Sequence, residues 1–440
     1  MNTGDTAWVL ASSALVLLMT PGLAFFYGGM VRSKSVLNML MMSFATIGVV
    51  SLLWVLYGFS VAFGAGKSGL WGGLGWAGMK DMTAIGTTLN GSVYGIPLLV
   101  FAAFQLMFAV ITPALISGAI ADRAKFGTWM VFVALWVTIV YFPVAHWVFD
   151  FGDKNGKGAG WLAHIGVLDF AGGTAVHVNA GAAGLALALV LGKRVGWKKD
   201  PMRPHNLTLV MLGAGLLWFG WFGFNAGSAL GANALAGQAF FTTMVATATA
   251  MLGWMVVEKV RDGHFTSLGA ASGAVAGLVA ITPACAFVTP VGSIVIGLLA
   301  GAICALAVGL KWRLGFDDSL DVVGVHLVGG AFGALSLGFL AQGKGLFYGG
   351  DLSQLGKQAL AVVAVGGYSF VLAYVIGKVL DLTIGFRLPE EDEVEGIDLA
   401  IHAETGYDIH SGSGGATGGS VLGKSSAALQ PDAEARGVNA

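Results

Sequence analysis

Uncharged apolar stretches of eighteen or more residues recur along this chain, and a run of that length has few options but to cross a bilayer as a helix. Cutting the 440-residue sequence at its polar clusters gives eleven spans, near 7–30, 38–64, 96–121, 127–148, 168–191, 207–229, 238–258, 266–284, 291–310, 323–341 and 359–385. Charged residues make up 11% of the chain and apolar ones 56%, where ordinary soluble domains carry about 25% charged. The chain therefore reads as an all-α integral membrane protein. Its 69 glycines are more than twice the usual share of about 7%. Small residues let helix backbones approach closely, so the spans are expected to form one tight bundle.

The first run begins at Ala7 with no basic residue before it and continues to Met30. It is too long for a signal-peptide core and lacks the basic leader, so a retained first span is expected. Loops after odd-numbered spans carry thirteen basic residues: Arg32, Lys34, Arg123, Lys125, Lys193, Arg194, Lys198, Lys199, Arg203, Lys259, Arg261, Lys311 and Arg313. Loops after even-numbered spans carry six: Lys67, Lys80, Lys154, Lys157, Lys344 and Lys357. That bias puts the N-terminus outside and the tail from Arg387 in the cytoplasm of a multi-pass protein of the inner (plasma) membrane. A net charge of −1 gives no sign of nucleic-acid binding. Cys285 and Cys304 fall in apolar stretches without a Cys-x-x-Cys spacing and read as small buried residues.

Two segments repeat. Ile111-Thr-Pro-Ala114 recurs as Ile281-Thr-Pro-Ala284, and an Asp followed eight residues later by His occurs as Asp169…His177 and Asp318…His326. Glycines follow each His at the same offsets, Gly181 and Gly184 in one copy and Gly330 and Gly333 in the other. Both matches are displaced by five spans. An odd displacement reverses direction, so the chain is expected to hold two five-helix inverted repeats plus an eleventh helix, with a transport site between the halves. Eight helical residues rise about 12 Å, which would carry each His from an Asp at one mouth to the bilayer midplane.

Ionisable groups at that depth usually belong to a substrate or proton path. Two neutral imidazoles can pair, one donating and one accepting, and so guide a small polar molecule or relay a proton without permanent charge. Buried histidines each satisfied by a backbone carbonyl would be the plain structural reading. Haem ligation by two histidines needs a wide pocket, whereas both surroundings are small and closely packed. Phe104–Phe108 and the segment Trp218–Ser228, where five aromatics alternate with glycines before Asn225 and Ser228, can form a vestibule for a small cation. An aromatic face is worth about 2 kcal/mol or more to a desolvated cation, and a hydroxyl can accept one N–H bond. Asp169 reads as a cap on the N–H groups of Gly172 and Gly173 that also acts on a cation by its field. Asp317, Asp318 and Asp321 read as caps of the tenth helix. Thr112 and Thr282 precede prolines, where a hydroxyl can re-satisfy freed backbone.

Asp-Phe-Ala-Gly-Gly-Thr-Ala-Val-His at 169–177, Trp-Phe-Gly-Phe-Asn-Ala-Gly-Ser at 221–228 and Gly-Val-His at 324–326 closely resemble the ammonium transporter (Amt/Mep/Rh) family, bacterial Amt type, with the likeness running from about residue 8 to 409. The resemblance implies a homotrimer of eleven-span subunits, each with a narrow hydrophobic pore, and no enzymatic activity or cofactor. By the same resemblance Phe108 and Phe224 would be stacked gate rings and Ser228 the outer ammonium ligand. His177 and His326 would line the pore, Trp221 and Thr282 would match further pore or vestibule positions, and Asp169 would be the acidic residue needed for binding and conduction. Ammonium, or methylammonium as its analogue, would be the substrate. Family members often carry a Trp over the outer site; here the matching position is Phe149, or Trp147 in a shifted register, and Phe is the weaker cation–π partner.

Three parts follow: a transmembrane domain over 1–385, a cytoplasmic regulatory tail over 386–409 and a disordered Gly/Ser-rich extension over 410–440. By composition the tail is an acidic solvated helix and turn. By resemblance, its Glu390, Glu391, Glu395, Asp398, His402, Glu404, Tyr407 and Asp408 pack beneath neighbouring subunits and help dock a PII-type nitrogen-signalling protein. An ammonium sensor is the alternative reading, but sensors tend to carry a fused signalling domain, and only 55 residues follow position 385.

Overall fold

A computed structural model describes residues 1–66, 68–80, 82, 95–152 and 158–407. The extension 410–440, Asp408, Lys67, Lys154 and Lys157, which the expectations above drew on, lie outside the described residues. Among the described residues ten helices are long and apolar enough to cross a membrane: α1 (Thr3–Met30), α2 (Ser33–Phe63), α3 (Leu98–Ile120), α4 (Phe126–Phe149), α5 (Gly173–Leu191), α6 (Leu207–Gly227), α7 (Ala234–Asp262), α9 (Pro290–Leu314), α10 (Val323–Leu340) and α11 (Ser353–Thr383). Between α7 and α9 lies α8 (Ser267–Ile281), apolar but only 15 residues long. Residues 1–406 form one compact unit.

Short polar residues set where several spans begin. Asn206, Asn233, Thr266 and Thr289 each stand before a helix and accept the N–H three residues on, from Leu209 (2.9 Å), Ala236 (3.1 Å), Gly269 (2.8 Å) and Gly292 (3.0 Å). Each bond satisfies one of the first-turn donors that a helix cannot pair internally.

The two repeats dock on each other reciprocally. The end of α3 receives the approach to α10, with Leu320 N donating to Gly118 O at 3.0 Å and Ser319 N to Ala119 O at 3.3 Å. The end of α8 receives the approach to α5, with Phe170 N donating to Pro283 O at 3.1 Å. The glycine four residues after each His sits against the other His-bearing helix. A Cβ on Gly181 would lie 2.4 Å from Leu327 N, and one on Gly330 would lie 2.9 Å from His177 Cβ. Only hydrogen fits at these two crossings, which is how α5 and α10 come within ring contact.

The Asp-to-His segments are not continuous helix, contrary to the expected 12 Å climb. Gly172 at φ 114° and Asp321 at φ 64° hold left-handed backbone before α5 and α10 begin. The first turns of both helices, Gly173–Val178 and Val323–Leu327, are then widened π-helical turns containing His177 and His326. The prolines also act differently from expectation. Thr112 and Thr282 hydroxyls donate to the carbonyls of Phe108 (2.6 Å) and Leu278 (2.7 Å), each four residues back, rather than to the carbonyl that the following proline frees.

The tail continues as α12 (Glu390–Glu395) and α13 (Ile397–His402), and it is not a solvated acidic segment throughout. Glu393 and Asp398 are buried, while Glu390, Glu391 and Glu395 are exposed. Glu393 pairs with Arg387 at 2.9 Å and accepts from Val195 N at 2.7 Å. Asp398 accepts from Leu37 N (2.9 Å) and Asn38 N (2.8 Å), which caps the first turn of the long α-helical part of α2. Burial pushes the Asp398 carboxyl above the usual carboxylate range, although these bonds oppose it. These contacts lie within one chain.

Candidate functional site

Near the end of the bundle where α3 and α5 begin and α4 and α6 finish, Phe101, Gln105, Phe108, Phe149, Phe170 and Ser228 line an aromatic cavity. A second, apolar cavity is lined by Phe224, Trp221, His177 and His326 together with aliphatic side chains of α1, α3, α6 and α8. Phe108 and Phe224 stand between the two, ring centroids 4.3 Å apart and planes inclined by 36°. Both phenyl rings are buried. Their spacing leaves no continuous passage, so traffic between the cavities requires ring motion.

Below the pair the rings form a column. His177 lies 5.4 Å from Trp221 and 6.1 Å from Phe224, near-parallel to both. His177 and His326 are 5.4 Å apart between centroids, inclined by 22°, with their Nδ1 atoms at 3.3 Å. A hydrogen bond between two Nδ1 atoms requires that one ring be protonated there and the other at Nε2. The rings must therefore be opposite tautomers, and one presents an Nε2 acceptor while the other presents an Nε2–H donor. His177 Nε2 has no hydrogen-bond partner among the described residues. The direct contact of the rings between tightly crossed helices leaves no gap for a porphyrin, which disfavours the haem reading.

Some of these residues take the places the sequence suggested and others do not. Phe149, not Trp147, lines the first cavity; the Trp147 indole donates to Leu70 O at 2.7 Å and packs on Trp161 and Tyr368. Trp221 lines the second cavity rather than the first. Thr282 lines neither: it is fully buried and accepts the Trp221 indole N–H at 2.9 Å, so it positions that ring. Asp169 lines neither cavity. Its carboxylate accepts from Gly172 N (2.8 Å), Gly173 N (2.6 Å) and Thr174 N (2.7 Å) and from the Thr174 hydroxyl, and so it caps α5. A carboxylate this fully engaged could act on a cation only through its field. Ser228 is half-buried at the first cavity, its hydroxyl donating to Phe224 O at 2.8 Å, which leaves its lone pairs as acceptors.

At the opposite end only Asp318 of the three aspartates caps α10, accepting from Val322 N (3.1 Å) and Val323 N (2.7 Å). Asp321 pairs with Lys311 at 2.7 Å. Asp317 holds Arg194 through three bonds, from its backbone N (2.8 Å), Nε (3.0 Å) and Nη2 (2.9 Å). Burial alone would raise the Asp317 carboxyl, but the Arg194 hydrogen bonds and the charges of Arg123 and Arg194 outweigh it and hold the group below its ordinary range. Arg194 also reaches Asp122 at 3.3 Å, and Arg32 reaches Asp122 at the same distance. No single stretch of sequence marks this network; its members come from four separate loops.

A sequence model of the Ammonium Transporter Family matches residues 7–407. An ammonium transporter of Mycobacterium tuberculosis is 58% identical over 436 residues, covering 93% of this chain and 91% of that protein. One from Bacillus subtilis is 47% identical, covering 92% and 99%. Among solved structures, Saccharomyces cerevisiae Mep2 superposes with a TM-score of 0.81 at 35% identity, covering 89% of this chain and 88% of that one. A structure described as a sensor Amt protein superposes with a TM-score of 0.83 at 30% identity, covering 90% and 98%.

Proposed function

The chain belongs to the ammonium transporter family, and from that premise we propose that it takes ammonium from outside, deprotonates it and conducts ammonia inward past His177 and His326. The observation that carries this reading is the closed Phe108–Phe224 pair between an aromatic cavity and an apolar, histidine-lined one. Ammonium in the aromatic cavity is stabilised by the faces of Phe108 and Phe149, by the Ser228 hydroxyl oxygen and by the field of Asp169. Carrying the bare cation into the apolar cavity would cost far more than those contacts return, whereas passing its proton first, either back to the outer solution or on to the His177–His326 pair, lets uncharged ammonia enter. Ammonia then meets one Nε2 acceptor and one Nε2–H donor, which match its own donors and lone pair. The charge bias of the loops supports an N-terminus outside, and with it an aromatic cavity that faces outward. By the same reading the working unit is a homotrimer and the tail face docks a PII-type protein.

Methylammonium uptake by a strain without its own ammonium transporters tests the reading. Uptake that depends on this chain is expected, and reconstituted liposomes then separate electrogenic from neutral passage by the presence or absence of current. The likeness to the sensor Amt protein favours a second reading, in which occupancy is reported through the tail. Correct membrane insertion without any uptake would select it.

A further inference from the structure

We propose that Gln358, on α11 and outside both repeats, is a positioning residue for ammonium binding: it holds Asp169 where its charge acts on the aromatic cavity. This rests on the field role given to Asp169 above. Residues 167–172 form no helix or strand, so no regular ladder of backbone bonds fixes Asp169. Two anchors stand on either side of it instead. Phe170 N donates to Pro283 O at 3.1 Å. Leu168 is held by the fully buried Gln358 side chain, whose Oε1 accepts Leu168 N at 2.8 Å and whose Nε2 donates to Leu168 O at 2.7 Å. Nε2 also donates to Ala334 O of α10 at 3.1 Å, and Oε1 accepts from Gln354 Nε2 at 3.0 Å. Both amide hydrogens and both oxygen lone pairs are thereby used. Such a side chain cannot turn without stranding a buried group. The Leu168 peptide, and the carboxylate one residue on, are therefore tied to α10 and α11.

At the opposite end of the bundle the matching segment is held differently. Arg123 Nη2 donates to Asp317 O at 2.6 Å and Nη1 to the Ser319 hydroxyl at 2.6 Å, while Lys311 Nζ donates to Asp318 O at 2.9 Å. Cations secure the approach to α10, and a neutral amide secures the approach to α5. Asp169 makes no ion pair with any described residue. A guanidinium in the place of Gln358 would supply donors of the same kind but would also offset the attraction of Asp169 for a cation in the cavity. The neutral clamp fixes the carboxylate and leaves its charge for the substrate.

The test is methylammonium uptake into liposomes holding the full chain, with the half-saturating concentration and the maximal rate per inserted protein measured separately. Losing both bonds to Leu168 shifts the equilibrium that seats the segment by roughly five- to 100-fold. Gln358→Met keeps the length without the polar atoms and is expected to raise the half-saturating concentration on the order of tenfold, with a smaller change in maximal rate. Gln354→Ala removes bonds to Gly166 O and to Gln358 but none to Leu168, and should leave the half-saturating concentration close to wild type. An unchanged value in Gln358→Met, with or without a lower maximal rate, would show that Gln358 only packs and would overturn the proposal. An equal rise in Gln354→Ala would overturn it too. If Gln358→Met does not insert, Gln358→Asn decides, since its amide stays polar but is one carbon too short to hold both groups of Leu168. The same rise there supports the assignment, and an unchanged value rejects it. No uptake by the wild-type chain would strike the transport reading and this assignment together.

Discussion

Replacing Thr282 by Val isolates the contact that sets the angle of Trp221. The substitution keeps the branched shape but removes the hydroxyl that accepts the indole N–H at 2.9 Å. Trp221 is 2% exposed and its indole makes no other hydrogen bond with a described residue, so its N–H would be stranded out of reach of water. Leaving a buried donor unpaired costs about 1–3 kcal/mol. The ring can escape that cost only by turning, and turning breaks its near-parallel contact with His177 at 5.4 Å. The loss therefore appears either as reduced stability or as a displaced ring column, a shift of roughly 5- to 150-fold in the underlying equilibrium. Methylammonium uptake and thermal unfolding in detergent, measured together, capture both outcomes, and Thr282→Ser is the control that restores the acceptor. Uptake and unfolding of Thr282→Val both indistinguishable from wild type would refute the argument that this bond positions Trp221.

His177→Ala and His326→Ala are each expected to leave membrane insertion intact but to change flux or selectivity sharply, since each removes one half of the Nδ1 pair; two single variants with wild-type currents and uptake in liposomes would end the twin-histidine assignment. Arg194→Ala leaves Asp317 and Asp122 as buried carboxylates without their main partner, a loss of about 3–5 kcal/mol that thermal unfolding should show. The folded Asp317 carboxyl lies below its unfolded value, so its stabilisation is present above the unfolded carboxylate range of about pH 3.9. It is lost as the pH falls through the lower folded value, and Asp317→Asn should remove that acid-dependent part of the unfolding curve. Deleting residues 388–440 removes Glu393 and Asp398 from their contacts with Val195, Leu37 and Asn38 and should lower transport and abolish inhibition by a PII-type protein, whereas deleting residues 410–440 should do neither; loss of inhibition in the shorter truncation would show the regulatory segment to be misplaced.

The bilayer makes much of this protein readable one segment at a time. Span length, the basic bias of alternate loops and the repeat of Ile-Thr-Pro-Ala and Asp-x7-His are local properties, because each helix satisfies its own backbone and each loop stays on one side. The glycines four residues after each His already announced the close crossing that Gly181 and Gly330 make. What the chain could not state by itself are the choices between neighbours of equal chemistry. Phe149 rather than Trp147 faces the cavity because Leu70 O captures the Trp147 indole. Asp318 rather than Asp317 caps α10 because Arg194, 123 residues away, claims Asp317. Glu393 is buried among exposed glutamates because Arg387 and the Val195 N–H converge on it. Each choice is made by a partner brought in from a distant segment, and such partners exist only once the helices have packed.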